Sequence, residues 1–355
     1  LFKLWNKYLP RIKPFYAVKC NNDAVMMKIL ASLGCGFDVA SKAEIDEVLT
    51  TPDLLIYANP CKPQSFITYA HRQNVVLMTF DNMEELDKIA IYHPNARLLL
   101  RLAISDPTAL CQLNSKFGCH PEKEARELLV AAAFRDISVV GISFHVGSGC
   151  NNPEAYCHGI HHARLLFDFG AEFGLQMNIL DIGGGYPGND NLRVSFEKIV
   201  NVINPLIDEY FPLSSGVNII AEPGRFFACK PFSLAANVIA STKVTTNRLS
   251  VEKDEEAYMY YINDGVYGSF NCIFFDHCTP RGFPLELNEP IFPCTVWGPT
   301  CDSLDIVEKY AIFRKLNVGE WIFYKDMGAY TCSAASNFNG FQKPDRYYFI
   351  SEDDW

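Results

Sequence analysis

The feature that most constrains the fold is a regular alternation of short apolar runs and amphipathic helical patterns across the first two thirds of the chain. Alternation of this kind is typical of parallel β-sheets, because a helix returns the chain to the edge where the next strand starts. Eight strand–helix units within about 220 residues match a TIM-type (β/α)8 barrel in number and in size. The runs predicted as strands are Phe15 to Val18, Gly36 to Ala40, Leu54 to Ala58, Val75 to Thr79, Leu98 to Ala103, Val139 to Phe144, Asn178 to Ile182 and Val217 to Ala221.

The helix between the first two of these strands is predicted over residues 23–33. Val25, Ile29 and Leu33 recur at intervals of four, and we expect them to form the apolar stripe that faces the sheet. Gly34 follows directly and predicts the end of the helix, because glycine readily takes the left-handed conformation that closes a helix.

The last third of the chain has a different pattern, with β-branched and aromatic runs broken by Pro, Gly and Asn. Three of these runs are predicted as strands: Ala257 to Ile262, Trp321 to Tyr324 and Arg346 to Ile350. We therefore expect two domains. The first is a (β/α)8 barrel over residues 1–231, and the second is a C-terminal antiparallel β-sandwich or barrel over residues 232–355.

Charge and cysteine content narrow the possible partners and compartment. The chain carries 31 basic and 41 acidic side chains, which gives a formal net charge of −10. This excess of negative charge argues against nucleic acid as a partner, because a nucleic-acid-binding protein needs an excess of cations to displace the counterions of the phosphates. No apolar run is long enough to predict a membrane span. The 13 cysteines are odd in number and contain no C-x-x-C pair, and the first ten residues show no signal-peptide pattern. A cytoplasmic protein with free thiols is predicted.

Ionisable residues collect where the predicted barrel strands end. In a parallel barrel these ends lie on one rim, so side chains that are distant in sequence are expected to converge there. Convergence of this kind predicts a binding or catalytic site. The residues at these positions are Lys19, Asp38, Asn59, Arg101, His145, Gly183 and Glu222.

Three loops after the last predicted barrel strands suit a phosphate group. The glycines Gly183, Gly184 and Gly185 allow backbone to approach a phosphate without a Cβ in the way. Ser148 lies in the preceding loop, and Arg225 ends the segment Glu222-Pro223-Gly224-Arg225. Barrels commonly hold phosphate in this region. The run from Gly183 to Gly188 also fits the pattern of a dinucleotide fingerprint, but Pro187 and its late position in the chain disfavour a nicotinamide dehydrogenase.

A phosphate cradle, a lysine and an acidic residue on one rim indicate pyridoxal 5'-phosphate as the cofactor. Lys19 is predicted to form the Schiff base, and Glu222 to keep the pyridine nitrogen protonated. His145 is predicted to stack on the face of the ring.

A second cluster of potential metal ligands lies between the sixth and seventh predicted strands. Cys157, His158, His161 and His162 have helical spacing that could ligate zinc, but no further ligand of clear spacing lies nearby. The amphipathic face of a helix explains them better, and no metal is predicted.

Six segments of the chain resemble the eukaryotic ornithine decarboxylase family, within the alanine-racemase-like, fold-type III group of pyridoxal phosphate enzymes. The resemblance extends over essentially the whole chain. The segments are 14–21 (PFYAVKCN), 141–149 (GISFHVGSG), 181–188 (DIGGGYPG), 222–225 (EPGR), 263–271 (NDGVYGSFN) and 297–302 (WGPTCD).

The resemblance implies roles for individual residues. Cys301 would return a proton to the carbon that loses its carboxylate, with Lys19 and His145 as the other catalytic residues. Phe275, Asp276 and Asp302 would line the distal end of the substrate. The cofactor-binding residues would be Lys19, Asp38, Arg101, His145, Ser148, Gly183, Gly184, Gly185, Glu222, Pro223, Gly224, Arg225 and Tyr330.

The implied reaction is decarboxylation of L-ornithine to putrescine and carbon dioxide, a reaction of polyamine biosynthesis. The implied assembly is a homodimer whose active sites are shared, with Cys301 and Asp302 reaching in from the other subunit. Carboxylates suit a basic substrate, but lysine is only one methylene longer, and a pocket discriminates one methylene by only about 1–3 kcal/mol. Decarboxylation of lysine or of another basic amino acid stays open.

Two other functions fit the same scaffold. Antizyme inhibitors share the fold but are binding proteins without catalysis, and the retained site residues favour an enzyme. A racemase is disfavoured by the pair Cys301 and Asp302. The resemblance also makes antizyme a possible partner, since Glu85, Leu86 and Lys88 match the family while Thr68 and Ile91 depart from it.

Overall fold

A computed structural model describes residues 1–48, 52–104, 106–109, 111, 113–189, 194–249, 254–286 and 290–350. The chain divides into two compact units, Leu1–Cys229 and Lys230–Trp355. Within the described ranges no helix is both long enough and apolar enough to cross a membrane.

The first unit is a closed parallel barrel, as the alternating pattern predicts. Each strand pairs with its neighbours in chain order, and β8 closes the barrel against β1 in the register Pro14 to Ala221. The predicted strands lie within three residues of the observed ones. The barrel strands in the described part of the chain are β1 (Ile12–Ala17), β2 (Gly36–Val39), β3 (Leu55–Tyr57), β4 (Leu77–Phe80), β5 (Arg97–Leu102), β6 (Val139–Phe144), β7 (Ile179–Asp181) and β8 (Asn218–Ala221).

Helices connect these strands and cover the outside of the barrel. They are α1 (Phe2–Tyr8), α2 (Ala24–Ser32), α3 (Lys42–Glu47), α4 (Gln64–Arg72), α5 (Met83–Tyr92), α6 (Glu124–Phe134), α7 (Glu154–Glu172), α8 (Phe196–Tyr210) and the short α9 (Arg225–Ala228).

The predicted inner face of α2 is wrong. Val25, Ile29 and Leu33 are 38%, 55% and 48% exposed, whereas Met26 and Leu30 are buried against the barrel. The two stripes are neighbours on the helix surface and are equally apolar, so the 3.6-residue period cannot choose between them. The N-cap fixes where the helix begins: the Asp23 carboxylate accepts a hydrogen bond from the Met26 N–H at 2.9 Å.

The second unit contains one six-stranded sheet in the order β11-β14-β9-β10-β12-β13. Four of its five pairings are antiparallel, as expected, and the pairing of β10 with β12 is parallel. One side packs on a core that includes Tyr260, Phe270 and Tyr324. The elements are β9 (Leu234–Thr245), β10 (Glu256–Ile262), α10 (Cys272–Phe275), β11 (Gly282–Pro284), β12 (Ile291–Trp297), β13 (Ile306–Arg314) and β14 (Trp321–Tyr324).

The strand predicted over Arg346 to Ile350 is wrong. These residues have no regular secondary structure, and Phe349 is 97% exposed. A strand needs a neighbouring strand to satisfy its backbone N–H and C=O groups, and the edge strands of the described sheet, β11 and β13, do not pair with this segment. Propensity for β-structure alone did not decide the conformation here.

Candidate active site

The barrel brings Lys19 and Asp38 together at the carboxyl ends of its first two strands. Lys19 lies in the helical turn Val18–Cys20 that follows β1 directly. Asp38 is in β2, opposite Ala17 in the parallel register. The Lys19 ammonium forms an ion pair with the Asp38 carboxylate, which is 1% exposed, whereas the lysine side chain is 40% exposed. The carboxylate therefore holds an amine at the rim of the barrel while leaving it accessible.

His145 follows β6 and is held in a defined tautomer. Its Nδ1 accepts a hydrogen bond from the Gly147 N–H at 3.0 Å. Burial, and then the cations of Arg101 and Lys19, hold the pKa of His145 well below its ordinary value. The imidazole is therefore neutral with its proton on Nε2, a flat and uncharged ring. Arg101, at the end of β5, donates to the Ala58 carbonyl at 3.5 Å.

The loops after β6, β7 and β8 form a cradle, in which glycine backbone lies beside the guanidinium of Arg225. Gly183 has φ +64°, and a Cβ there would lie 2.2 Å from the Phe144 carbonyl oxygen. A Cβ on Gly184 would lie 2.7 Å from His145 Nε2. The Arg225 guanidinium donates to Ser148 Oγ at 2.9 Å, so these two predicted phosphate ligands lie side by side.

A group of buried carboxyls lies at the same end of the barrel, and one of them, Asp181, escaped the sequence prediction. Asp181 is fully buried at the end of β7, and Glu222 follows β8 with 6% exposure. Burial, followed by the Asp181 and Asp38 carboxylates, raises the pKa of Glu222 well above its ordinary value, against the opposing effect of Lys19 and Arg101. Burial raises the pKa of Asp181 to about 7. The signal for Asp181 was present in its position at a strand end, two residues before the first glycine of the loop.

Replacement of Asp181 should reveal these carboxyls through the pH dependence of stability. A carboxyl whose pKa is higher in the folded chain binds more protons when folded, so its contribution to stability falls as pH rises from about 4 towards 7, by at most about 1.4 kcal/mol per pH unit for each group. Asn can still accept the hydrogen bond that Asp181 Oδ1 receives from Gly183 N–H at 2.9 Å. We expect Asp181→Asn to flatten the decline of the unfolding midpoint between pH 5 and 7.5 in protein freed of bound small molecules. Parallel curves for the two proteins would contradict the shifted pKa.

The rim fits a phosphorylated, protonatable aromatic ring. Asp38 Oδ1 and Asp181 Oδ2 are buried acceptors without a hydrogen-bond partner among the described atoms, and the raised pKa of Glu222 marks a place where a proton is retained. The glycine cradle leaves no room for side chains beside His145. A pyridine ring with a phosphate matches this set of an amine, a proton-retaining carboxyl, a flat imidazole and a basic cradle.

A methyl group at Gly184 should disturb this site specifically. The new Cβ would meet both His145 Nε2 at 2.7 Å and the Glu222 carbonyl oxygen at 2.9 Å. Relief of such overlaps typically costs about 1–3 kcal/mol. We therefore expect Gly184→Ala to weaken pyridoxal phosphate binding at least tenfold, measured by titration of the cofactor absorbance. Gly174→Ala serves as a control, since Gly174 has open space around it; its φ of +82° strains the backbone without touching the rim.

Two of the predicted residues in the second unit lie in the loop between β12 and β13. Cys301 is exposed, and its N–H donates to Asn339 Oδ1 at 3.2 Å. Tyr267 donates a hydrogen bond from its hydroxyl to Asp302 Oδ2, which lowers the pKa of the Asp302 carboxyl. Tyr267 thereby keeps Asp302 ionised and oriented.

The other predicted residues of this unit lie at the end of α10 and after β14. Phe275 is 70% exposed, whereas the adjacent Asp276 is 3% exposed and accepts a hydrogen bond from the Cys278 thiol at 3.1 Å. Tyr330 has φ +53°, an uncommon conformation for a residue with a side chain.

Two further clusters noted in the sequence lie on the helices of the barrel unit. The four residues Cys157, His158, His161 and His162 lie on α7. Within the described ranges, no group of three or more His, Cys, Asp or Glu could hold a metal ion. Glu85 and Leu86, on α5, are 3% and 0% exposed. They belong to the packing of the barrel unit itself rather than to its free surface.

Comparisons with known proteins agree on one family. Residues 1–229 match the family described as pyridoxal-dependent decarboxylase, pyridoxal binding domain. Ornithine decarboxylase of Caenorhabditis elegans is 55% identical over 100% of this chain and 85% of its own length. Antizyme inhibitor 2 of Xenopus laevis is 49% identical over 98% of this chain and 78% of its own length. Among solved structures, arginine decarboxylase of Paramecium bursaria Chlorella virus superposes with a TM-score of 0.88 at 38% identity, covering 96% of this chain and 90% of that one.

Proposed function

The chain belongs to the family of pyridoxal-dependent decarboxylases, and we propose that it converts L-ornithine to putrescine and carbon dioxide with pyridoxal 5'-phosphate as cofactor. The observation that carries this function is the convergence, on one rim of the barrel, of the Lys19 amine, the proton-retaining Glu222 and the cradle formed by the glycine loop with Ser148 and Arg225. When bound, pyridoxal phosphate accepts the electron pair that remains after the carboxylate leaves.

The residues of the barrel unit would hold and polarise the cofactor. Lys19 would bond its aldehyde carbon, and Asp38 keeps the lysine amine at the rim. Glu222 retains a proton that it can share with the ring nitrogen, because its buried position disfavours the carboxylate. The neutral imidazole of His145 would stack on the ring. The phosphate would lie among the glycine loop, residues 222–225 and Ser148, with Tyr330 as a further ligand.

The residues of the second unit would act on the substrate. Cys301 would deliver a proton to the carbon that loses its carboxylate, and its exposure makes the thiol accessible. Asp276 and Asp302 would pair with the distal ammonium of the substrate, beside Phe275. A carboxylate that is hydrogen-bonded and ionised favours a cationic side chain over an apolar one.

We propose a homodimer in which Cys301 and Asp302 of the partner subunit complete each site. In this assembly residues 1–231 bind the cofactor and residues 232–355 contribute to the shared site. We also propose a cytoplasmic location, on the basis of 13 cysteines that form no disulfide in the described part of the chain. Antizyme is a possible protein partner. Because Glu85 and Leu86 are buried, antizyme would contact the exposed side chains around them.

A binding protein without catalysis is the second candidate function, since antizyme inhibitor 2 is 49% identical to this chain. The retention of Lys19, Asp38, His145 and Cys301 favours the enzyme. The buried Asp38 carboxylate in particular would bring only a desolvation cost to a protein that binds no cofactor.

Release of carbon dioxide from ornithine, lysine and arginine, assayed side by side with purified protein, tests the function. We expect the cofactor absorbance on purification and the highest kcat/KM for ornithine. Protein without bound cofactor and without release from any of the three would identify a binding protein instead. A preference for lysine or arginine would change the substrate and leave the reaction intact.

A further inference from the structure

Two cysteines flank Asp276 in the second unit. Cys272 begins α10 and is 1% exposed, whereas Cys278 is half-buried at the edge of the same core. His277, between Asp276 and Cys278, has φ +53° and turns the chain back towards the start of the helix. The Cys272 carbonyl accepts hydrogen bonds from both the Asp276 N–H at 3.1 Å and the Cys278 N–H at 3.0 Å.

This turn brings the two thiols together. The Cys272 and Cys278 side chains are within hydrogen-bonding reach, and that contact, together with burial, raises the pKa of the Cys272 thiol well above its ordinary value. The Cys278 thiol also donates to Asp276 Oδ2 at 3.1 Å. The hydrogen bond between the two backbones keeps the two residues adjacent, which a disulfide between them requires. None of the cysteines in the described part of the chain is joined in a disulfide.

We propose that Cys272 and Cys278 form a reversible intramolecular disulfide that weakens the hold of Asp276 on the substrate. The site is an oxidative modification site. Its effect on substrate rests on the proposed function, in which Asp276 binds the distal ammonium.

Hydrogen peroxide is the oxidant class that balances the reaction. The more accessible Cys278 thiol is oxidised to a sulfenic acid as peroxide is reduced to water. The Cys272 thiol then attacks that sulfur, the S–S bond forms, and a second water leaves with the thiol proton. A dithiol reductant restores both thiols by exchange.

Oxidation changes the surroundings of Asp276 in two ways. The Cys278 S–H donor to Asp276 Oδ2 is lost, because the sulfur no longer carries a proton. The loop containing Asp276 is also closed into a small covalent ring. A less well oriented carboxylate binds the substrate ammonium more weakly, so KM for ornithine should rise about five- to tenfold.

The test combines mass spectrometry with kinetics on the holoenzyme treated with hydrogen peroxide. Trypsin releases Cys272 and Cys278 in one peptide, residues 254–281, which contains no other cysteine. We expect this peptide to become lighter by about 2 Da and resistant to alkylation, and dithiothreitol to reverse both changes. Unchanged alkylation of both thiols, or conversion of Cys278 to a sulfinic acid alone, would overturn the disulfide.

Two variants separate the disulfide from other oxidation. Cys278→Ser retains a hydroxyl donor near Asp276 but cannot form the bond, so peroxide should leave its KM unchanged relative to its own reduced form. Cys61→Ser removes an exposed thiol elsewhere and should respond as the unmodified enzyme does. Oxidation of Cys301 would lower kcat rather than raise KM. A disulfide that forms without a change in KM would refute the effect on Asp276. If the reduced protein releases no carbon dioxide from ornithine, the proposed function is refuted. The mass measurement would still decide whether the disulfide forms.

Discussion

Replacement of Lys19 by alanine is expected to abolish decarboxylation, with a fall in kcat of roughly 10³-fold or more. The loss follows from the position of the amine, which is held by Asp38 at the rim where the cofactor aldehyde would bond. The bond that the lysine amine would form with the cofactor aldehyde would also be lost, so the protein should bind pyridoxal phosphate more weakly. Absorbance of the bound cofactor and release of carbon dioxide from ornithine measure the two effects.

Lys28→Ala is the matched control, because Lys28 is an exposed lysine on α2. It should retain full activity and the cofactor spectrum. Residual activity of Lys19→Ala within tenfold of the unmodified enzyme would mean that another amine bonds the cofactor. Circular dichroism of the variant would separate this result from loss of the fold.

Replacement of Glu85 by glutamine is expected to destabilise the barrel unit by about 3 kcal/mol. Lys62 is 1% exposed, and its Nζ lies 3.0 Å from Glu85 Oε1 and donates to the Thr79 carbonyl at 2.6 Å. Burial lowers the pKa of Lys62 to about 8, against the opposing attraction of Glu85. Removal of the carboxylate leaves a buried cation without its counter-charge, and an unpaired buried charge strongly destabilises a fold. The free energy of unfolding in urea measures the loss.

The destabilisation should depend on pH in a direction that identifies its cause. A lysine whose folded pKa is depressed loses its proton more readily when folded, so the stability of the native state rises, relative to the unfolded chain, as pH increases through about 8. The penalty of Glu85→Gln should therefore shrink between pH 7 and pH 9. The double variant Lys62→Met/Glu85→Gln should recover part of the loss, because no buried charge remains. An equal loss at both pH values, with no recovery in the double variant, would mean that packing rather than charge explains the effect.

The order of the barrel strands and the identity of most rim residues followed from the sequence alone. Parallel strands that alternate with helices place their carboxyl ends on one rim, so Lys19, Asp38, His145 and Glu222 could be grouped without coordinates. Asp181 was missed, although it also ends a strand. Its contribution is electrostatic: it raises the pKa of Glu222, and that effect depends on the distance between two buried carboxyls from different strands.

Two predictions outside the rim show where hydrophobic periodicity and β-propensity fail to predict the structure. The α2 stripe of Val25, Ile29 and Leu33 and the strand predicted at 346–350 were both wrong. Hydrophobic periodicity is a local property, whereas the face that a helix buries and the partner that a strand finds depend on neighbouring elements.

The sequence by itself determined the alternating architecture, the rim that bears the amine and the acids, and the chemical class of the cofactor, because each depends on the type and order of residues along the chain. Only the tertiary structure decided which acids keep their protons, that Glu85 and Leu86 are buried, and that Cys272 and Cys278 meet beside Asp276. Those properties depend on burial and on distances across the fold. Electrostatic interactions and hydrogen bonds depend on distances between residues in three dimensions, and those distances exist only in the folded chain.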